Sequence, residues 1–231
     1  IIWLGELMSK KTLIVTAHPD DESIFFCGLI QSRNSDDFRV VCVTDGNADG
    51  HGKIRSKQFT AAMKALDVDD FKMLSYPDIY EQRLNHKELC EDLCQFTDIK
   101  EIYTHGILGE YGHPHHQDVS YAVHRCFDKK LPIWSVAYNC YPDKEFKLTD
   151  TQYHLKTQIL SNIYLAETRR FVNFIQSYWY EGFAKVDFEE VESLYEYFTI
   201  AKKPDLSKLK KFRWYWAYLE FNGGQVAPRP F

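Results

Sequence analysis

Five mostly apolar runs, TLIVT (12–16), RVVCVT (39–44), FKMLS (71–75), EIYT (101–104) and IWSVAY (133–138), recur between stretches whose apolar residues repeat at helical spacing. Runs that are apolar at nearly every position belong to strands buried on both faces, and such strands need helices above and below them. ESIFFCGLIQSR, IRSKQFTAAMKALD, KELCEDLCQF and residues 117–128 supply those helices. The alternation predicts an α/β fold: a Rossmann-like, mostly parallel sheet with helices on both faces and an elaborated C-terminal region. In open sheets of this kind the chain runs outward through three strands, returns, and lays the fourth beside the first. The binding crevice is expected at that reversal.

Residues 8–231 are read as a single domain, with 140–231 as its C-terminal elaboration, because no linker rich in Gly or Ser and no internal repeat interrupts them. Residues 1–7 precede Met8 and read as a cloning remnant or a misplaced start. A length of 231 residues is enough to bury one sizeable core. The net charge of -5 offers no basic face for nucleic acid, and no apolar run approaches a membrane span, so neither nucleic acid nor stable membrane insertion is expected. Cys27, Cys42, Cys90, Cys94, Cys126 and Cys140 are scattered without a CxxC pair. They read as reduced, buried thiols, which makes the cytoplasm the default compartment. Cys90 and Cys94, one helical turn apart, read first as small apolar residues on one helix face and only second as metal ligands.

The loops after the first and fourth strands, AHPDDE and HGILGEYGHPHHQD (105–118), carry the chemistry. His18 and Asp21 are three residues apart, as are His113 and His116, so each pair can aim two side chains at one point from a tight turn or a first helical turn. Two imidazoles and one carboxylate suit zinc with one position left for water, the arrangement of catalytic sites. Alone, HPDDE also reads as an acidic helix N-terminus and HPHH as surface histidines. Their joint occurrence after strands that are expected to be neighbours favours the metal. TDGNADGHG (44–52) lacks the spacing of a phosphate loop and reads as a rim over the crevice, with Asp49 and His51 solvated. The aromatic tail KKFRWYWAYLEF reads as a half-buried strand or a packing surface before it reads as a sugar, membrane or nucleic-acid contact.

AHPDDES, TDGNADGHGKIR and YGHPHHQDV, over about residues 11–125, closely resemble the zinc-dependent N-acetylglucosaminyl de-N-acetylases of the PIG-L or LmbE-like family. The resemblance implies a Rossmann-like sheet, one zinc per chain and a small-molecule amino-sugar conjugate as substrate. Iron or cobalt would accept the same donors. By position it makes His18, Asp21 and His116 the metal ligands and Asp20 the general base, with His113 and Tyr111 at the oxyanion. Arg55 and Asp78 fall where the family contacts the sugar or its aglycone. The implied reaction is hydrolysis: a water activated by zinc attacks the acetamide carbonyl as Asp20 takes its proton, yielding acetate and a free amino sugar.

Two positions depart from the family pattern. His115 stands where relatives commonly have Asp or Asn, and Gln58 where they often have Glu. An acid beside His113 would favour its protonated form, so an imidazole there leaves its charge state open. Two rival readings are a zinc amidohydrolase acting on a non-sugar N-acyl compound and a sugar-binding member without turnover. The aromatic tail is compatible with a homo-oligomer. His51, His86, His105, His124 and His154 are assigned no role.

Overall fold

The structure, a computed structural model, describes residues 10–34, 37–80, 82–138, 140–169 and 179–221; the reading of residues 1–7 lies outside them. The chain runs β1 (Lys11–Thr16), α1 (Asp21–Phe25), α2 (Cys27–Gln31), β2 (Phe38–Thr44), α3 (Gly52–Ala65), β3 (Phe71–Tyr76), α4 (His86–Leu93) and β4 (Ile99–Thr104). It continues through α5 (Gly109–Gly112), α6 (Pro114–Phe127), β5 (Ile133–Val136), β6 (Lys144–Lys147) and α7 (Asp150–Gln158). A π-helical turn (Ile159–Ile163), α8 (Leu165–Thr168), β7 (Tyr180–Ala184), α9 (Phe188–Ile200) and α10 (Arg213–Phe221) complete it.

The strands form one seven-stranded sheet in the order β3-β2-β1-β4-β5-β7-β6. The pairings among β1 to β5 are parallel, whereas β7 runs antiparallel to both β5 and β6. Successive strand residues point to opposite faces, and both faces are covered. Ile14, Val40 and Cys42 pack on one side with Phe26, Leu29, Phe59 and Met63, while Leu13, Val15, Val41 and Val43 pack on the other with Leu89, Leu93, Val119 and Val123. This two-sided burial is why the strands read as continuous apolar runs. The order places β1 between β2 and β4, so the chain reverses between β1 and β4 and their C-terminal loops become neighbours. The Ala17 N–H donates to His105 Nε2 at 2.9 Å, tying the two loops together.

The helix expected over ESIFFCGLIQSR is broken at Phe26, whose ring turns inward and stacks on Phe183. The start of α2 is capped from far along the chain: Glu181 accepts the N–H groups of Gly28 at 2.7 Å and Leu29 at 2.9 Å. Lys156 pairs with the same carboxylate at 2.7 Å, and both side chains are out of solvent. Lys156→Met is therefore expected to leave a buried charge without its cation and cost about 3–5 kcal/mol, read by denaturant unfolding. A loss near zero would mean that the backbone bonds alone hold Glu181.

Two expectations are corrected. The tail KKFRWYWAYLEF contains a helix rather than a strand. Phe212, Trp216 and Leu219 are buried at helical spacing, and Trp216 lies edge-on to Tyr197 of α9 at 5.0 Å. Alternating aromatics satisfy a period of two and a helical face equally well, and the apolar wall of α9 selects the helix. The six cysteines are also not all reduced and buried. Cys94 and Cys126 form a disulfide where α4 packs against α6, Cys90 and Cys140 are half-buried, and only Cys27 and Cys42 are buried free thiols. Among the described residues no helix is long and apolar enough to cross a membrane.

Candidate metal centre

Each arm of the site begins where a parallel strand runs out. After β1 the chain turns at Pro19, and Asp20 adopts φ +124, a conformation rarely held by a non-glycine residue. Its N–H is fixed on Glu22 Oε2 at 3.0 Å, and Asp21 opens α1. After β4 the chain passes through Gly109 at φ +67 and Glu110 at φ +55. Pro114 then starts α6 at a position that needs no N–H donor, which leaves His113 as the N-cap.

His18 Nδ1, Asp21 Oδ2 and His116 Nε2 converge from these arms. The His18–His116 edge of the triangle is 3.2 Å, and Asp21 lies 3.4 Å from each ring nitrogen. A tetrahedral ion with bonds of about 2.0–2.1 Å spaces its donors at about 3.3–3.4 Å, so the triangle fits one ion. All three side chains are buried. Burial lowers His18 to about 4 against the opposing pull of Asp21, so its ring is neutral near pH 7 with a lone pair to offer.

Further groups orient these donors. His116 Nδ1 is hydrogen-bonded to Glu110, which also accepts the Gly106 N–H at 2.9 Å and lies 3.2 Å from His105 Nδ1. Burial opposes the charge on Glu110, but His105 and His116 outweigh it and hold the carboxyl down to about 2. His18 Nε2 lies 3.1 Å from His115 Nδ1 and 3.7 Å from Asp78, while His115 Nε2 donates to the Gln82 carbonyl at 2.8 Å. Carboxylates behind metal-bound imidazoles fix ring orientation and raise basicity. Glu110→Gln is accordingly expected to weaken metal binding by about 10–100-fold in a competitive chelator titration. Unchanged affinity would remove Glu110 from the site.

Asp20 is buried beside the donors rather than among them. Arg55 Nη2 lies 3.1 Å from its carboxylate and also donates to the Pro19 carbonyl at 2.6 Å. Burial pushes Asp20 well above the usual carboxylate range; Arg55 pulls the other way, and the Asp21 and Glu22 carboxylates push it further up. It therefore takes a proton more readily than an exposed aspartate. His113 stacks on His116 at 4.7 Å, and burial, reinforced by His18, His116 and His115, keeps it neutral. Its Nδ1 accepts the His115 N–H at 3.2 Å, which assigns its proton to Nε2 as a donor. Tyr111 meets the rings of His116 and His113 edge-on at 5.5 and 5.9 Å.

The structure thus brings His18, Asp20, Asp21, Tyr111, His113 and His116 into one cluster. Arg55 faces Asp20, and Asp78 sits behind His18 against His115. Gln58 lies apart, donating to the Ile163 carbonyl at 2.6 Å. Asp49 and His51 pair at the surface of their loop. Sequence reasoning missed Glu110, His105 and Glu22. The available signal was position alone: His105 directly follows β4, and Glu110 lies within the second histidine loop.

A doubly wound sheet with a buried His–Asp–His triangle at its order reversal defines an α/β domain with a group of side chains that could hold a metal ion. Residues 13–127 match the model of the PIG-L family, described as GlcNAc-PI de-N-acetylase. The chain belongs to that family, as the resemblance implied. It is 30% identical over 122 residues to a probable N-acetylglucosaminyl-phosphatidylinositol de-N-acetylase of Schizosaccharomyces pombe, covering 48% of this chain and 49% of that protein. The chain spans about half the length of the curated relatives it matches. Among solved structures, N,N'-diacetylchitobiose deacetylase from Pyrococcus horikoshii shares the fold at TM-score 0.60 and 17% identity, over 78% of this chain and 85% of that one. A 4-carboxy-2-hydroxymuconate hydratase from Pseudomonas putida shares it at TM-score 0.55 and 15% identity, over 76% and 96%. A fold found with two chemistries leaves the reaction to the site.

Proposed function

We propose that the protein is a metal-dependent N-deacetylase that removes acetate from an N-acetylglucosamine-like conjugate. The observation that carries this reading is the donor triangle of His18, Asp21 and His116, with a buried carboxylate of raised basicity, Asp20, directly beside it. The family match supports the amino sugar. Zinc suits two imidazoles and a carboxylate, and when bound would supply Lewis acidity toward water and the carbonyl oxygen.

The side chains divide the remaining work. Asp20 accepts a proton from water as its oxygen attacks the acetamide carbon, and Arg55 keeps that carboxylate aimed. His113 Nε2–H and the Tyr111 hydroxyl donate to the oxygen that gains negative charge. When the C–N bond breaks, the amine needs a proton, and Asp20 returns the one it took. Neutral His113 contributes a hydrogen bond rather than a proton. Acetate and a free amine are the products.

The test is acetate release from a panel of N-acetylglucosamine conjugates, including an inositol phospholipid, beside N-acetyl amino acids. Chelated protein is the control. Release from a sugar conjugate, lost on chelation and restored by zinc, is expected. Release only from N-acetyl amino acids would move the protein to the amidohydrolase reading, and no release from any substrate would leave a sugar-binding role.

A further inference from the structure

A second group of metal-ligating side chains lies where α4 packs on α6. Cys90 and Cys94 stand one turn apart at the end of α4, and Cys126 lies in the last turn of α6. Their sulfurs are all within 4.8 Å of one another. A disulfide can use only two, so Cys94 and Cys126 are joined and Cys90 keeps its thiol. Cys94 is exposed and Cys90 half-buried, which gives a reductant or an ion a way in.

Two basic side chains, Arg125 and Lys130, stand near the cluster. Burial lifts the Cys90 thiol, but the positive charges of Arg125 and Lys130 act against that rise. Both cations are held in place: Lys130 Nζ donates to the Cys126 carbonyl at 2.6 Å, and Arg125 donates to the Tyr121 hydroxyl at 2.9 Å. Three thiolates around a divalent ion carry one net negative charge, which these two side chains can neutralise. Zinc–sulfur bonds of about 2.3 Å place sulfurs about 3.8 Å apart, within the spread of this cluster.

We propose that Cys90, Cys94 and Cys126, once reduced, form a three-thiolate site for a thiophilic d10 ion such as Zn2+ or Cd2+, with water or a small external thiol as fourth ligand. The disulfide and the ion are alternative occupants of the same three sulfurs. Opening the bond takes two electrons and two protons from a dithiol, which leaves as its own disulfide. Binding the ion then forms three metal–sulfur bonds and releases the three thiol protons. This site shares no residue with the His–Asp–His centre. His116 and Cys126 lie ten positions apart on α6, about 15 Å along its axis.

The experiment is an anaerobic Cd2+ titration of the whole chain, oxidised and dithiol-reduced, read by the ultraviolet thiolate-to-metal charge-transfer band. The His–Asp–His centre contains no sulfur and is silent in that band. Reduced protein is expected to show a band whose limiting amplitude corresponds to three thiolates on one ion, and oxidised protein none. Cys90→Ser should weaken Cd2+ binding read from the band by about tenfold or more, whereas Cys140→Ser should leave it unchanged. Circular dichroism checks that each variant is folded, and Cys90→Ala replaces Cys90→Ser if the latter is not. No band in the reduced protein, or a band indifferent to Cys90, would overturn the proposal.

Discussion

Asp20→Asn is expected to cut turnover by ~10²–10⁴-fold, the usual contribution of a positioned base, while the metal content stays the same. Asn preserves the shape of the side chain but cannot take a proton, and Asp20 contributes no atom to the donor triangle. The pH profile adds a second reading. Burial raises the Asp20 carboxyl, so its basic form disappears as pH falls through a value higher than that of an ordinary aspartate. Wild-type turnover should lose activity along that acidic limb, and the Asn variant should lack the limb. Full activity in the variant would remove Asp20 from the chemistry. Loss of metal would instead make it a ligand.

His116→Ala should have the larger effect on binding, because it removes a donor rather than its support. Metal affinity is expected to fall by more than the about 10–100-fold assigned to Glu110→Gln, with turnover falling in parallel. Metal content after dialysis, measured beside acetate release, checks both. The two substitutions separate coordination from proton transfer: one empties the site and the other leaves it loaded but slow. Wild-type metal content in His116→Ala would break the donor triangle as drawn.

Much of the fold was legible because its signals are local. Apolar runs mark β1 to β5 to within two residues, and the neighbours expected from doubly wound order, β1 and β4, are hydrogen-bonded in parallel. The candidate donors were legible for the same reason, since His18, Asp21 and His116 sit at the ends of those strands or at a helix start. Glu110 was not. An acid in a glycine-flanked loop reads as solvated, and only the packing of α6 over that loop buries it against His116 and His105. The Cys94–Cys126 pairing was equally hidden, because two positions 32 apart in sequence, with β4, α5 and most of α6 between them, become adjacent only through helix packing.

The chain's own pattern determined which segments become strands and helices and which donor types stand at their ends, since periodicity and ligand chemistry are properties of neighbouring residues. The tertiary structure alone decided which of those groups lose their water, which carboxylate faces Arg55, and whether His113 carries a charge. Desolvation and long-range pairing depend on what folds over a residue from elsewhere, and that information is spread along the whole chain rather than held at the site.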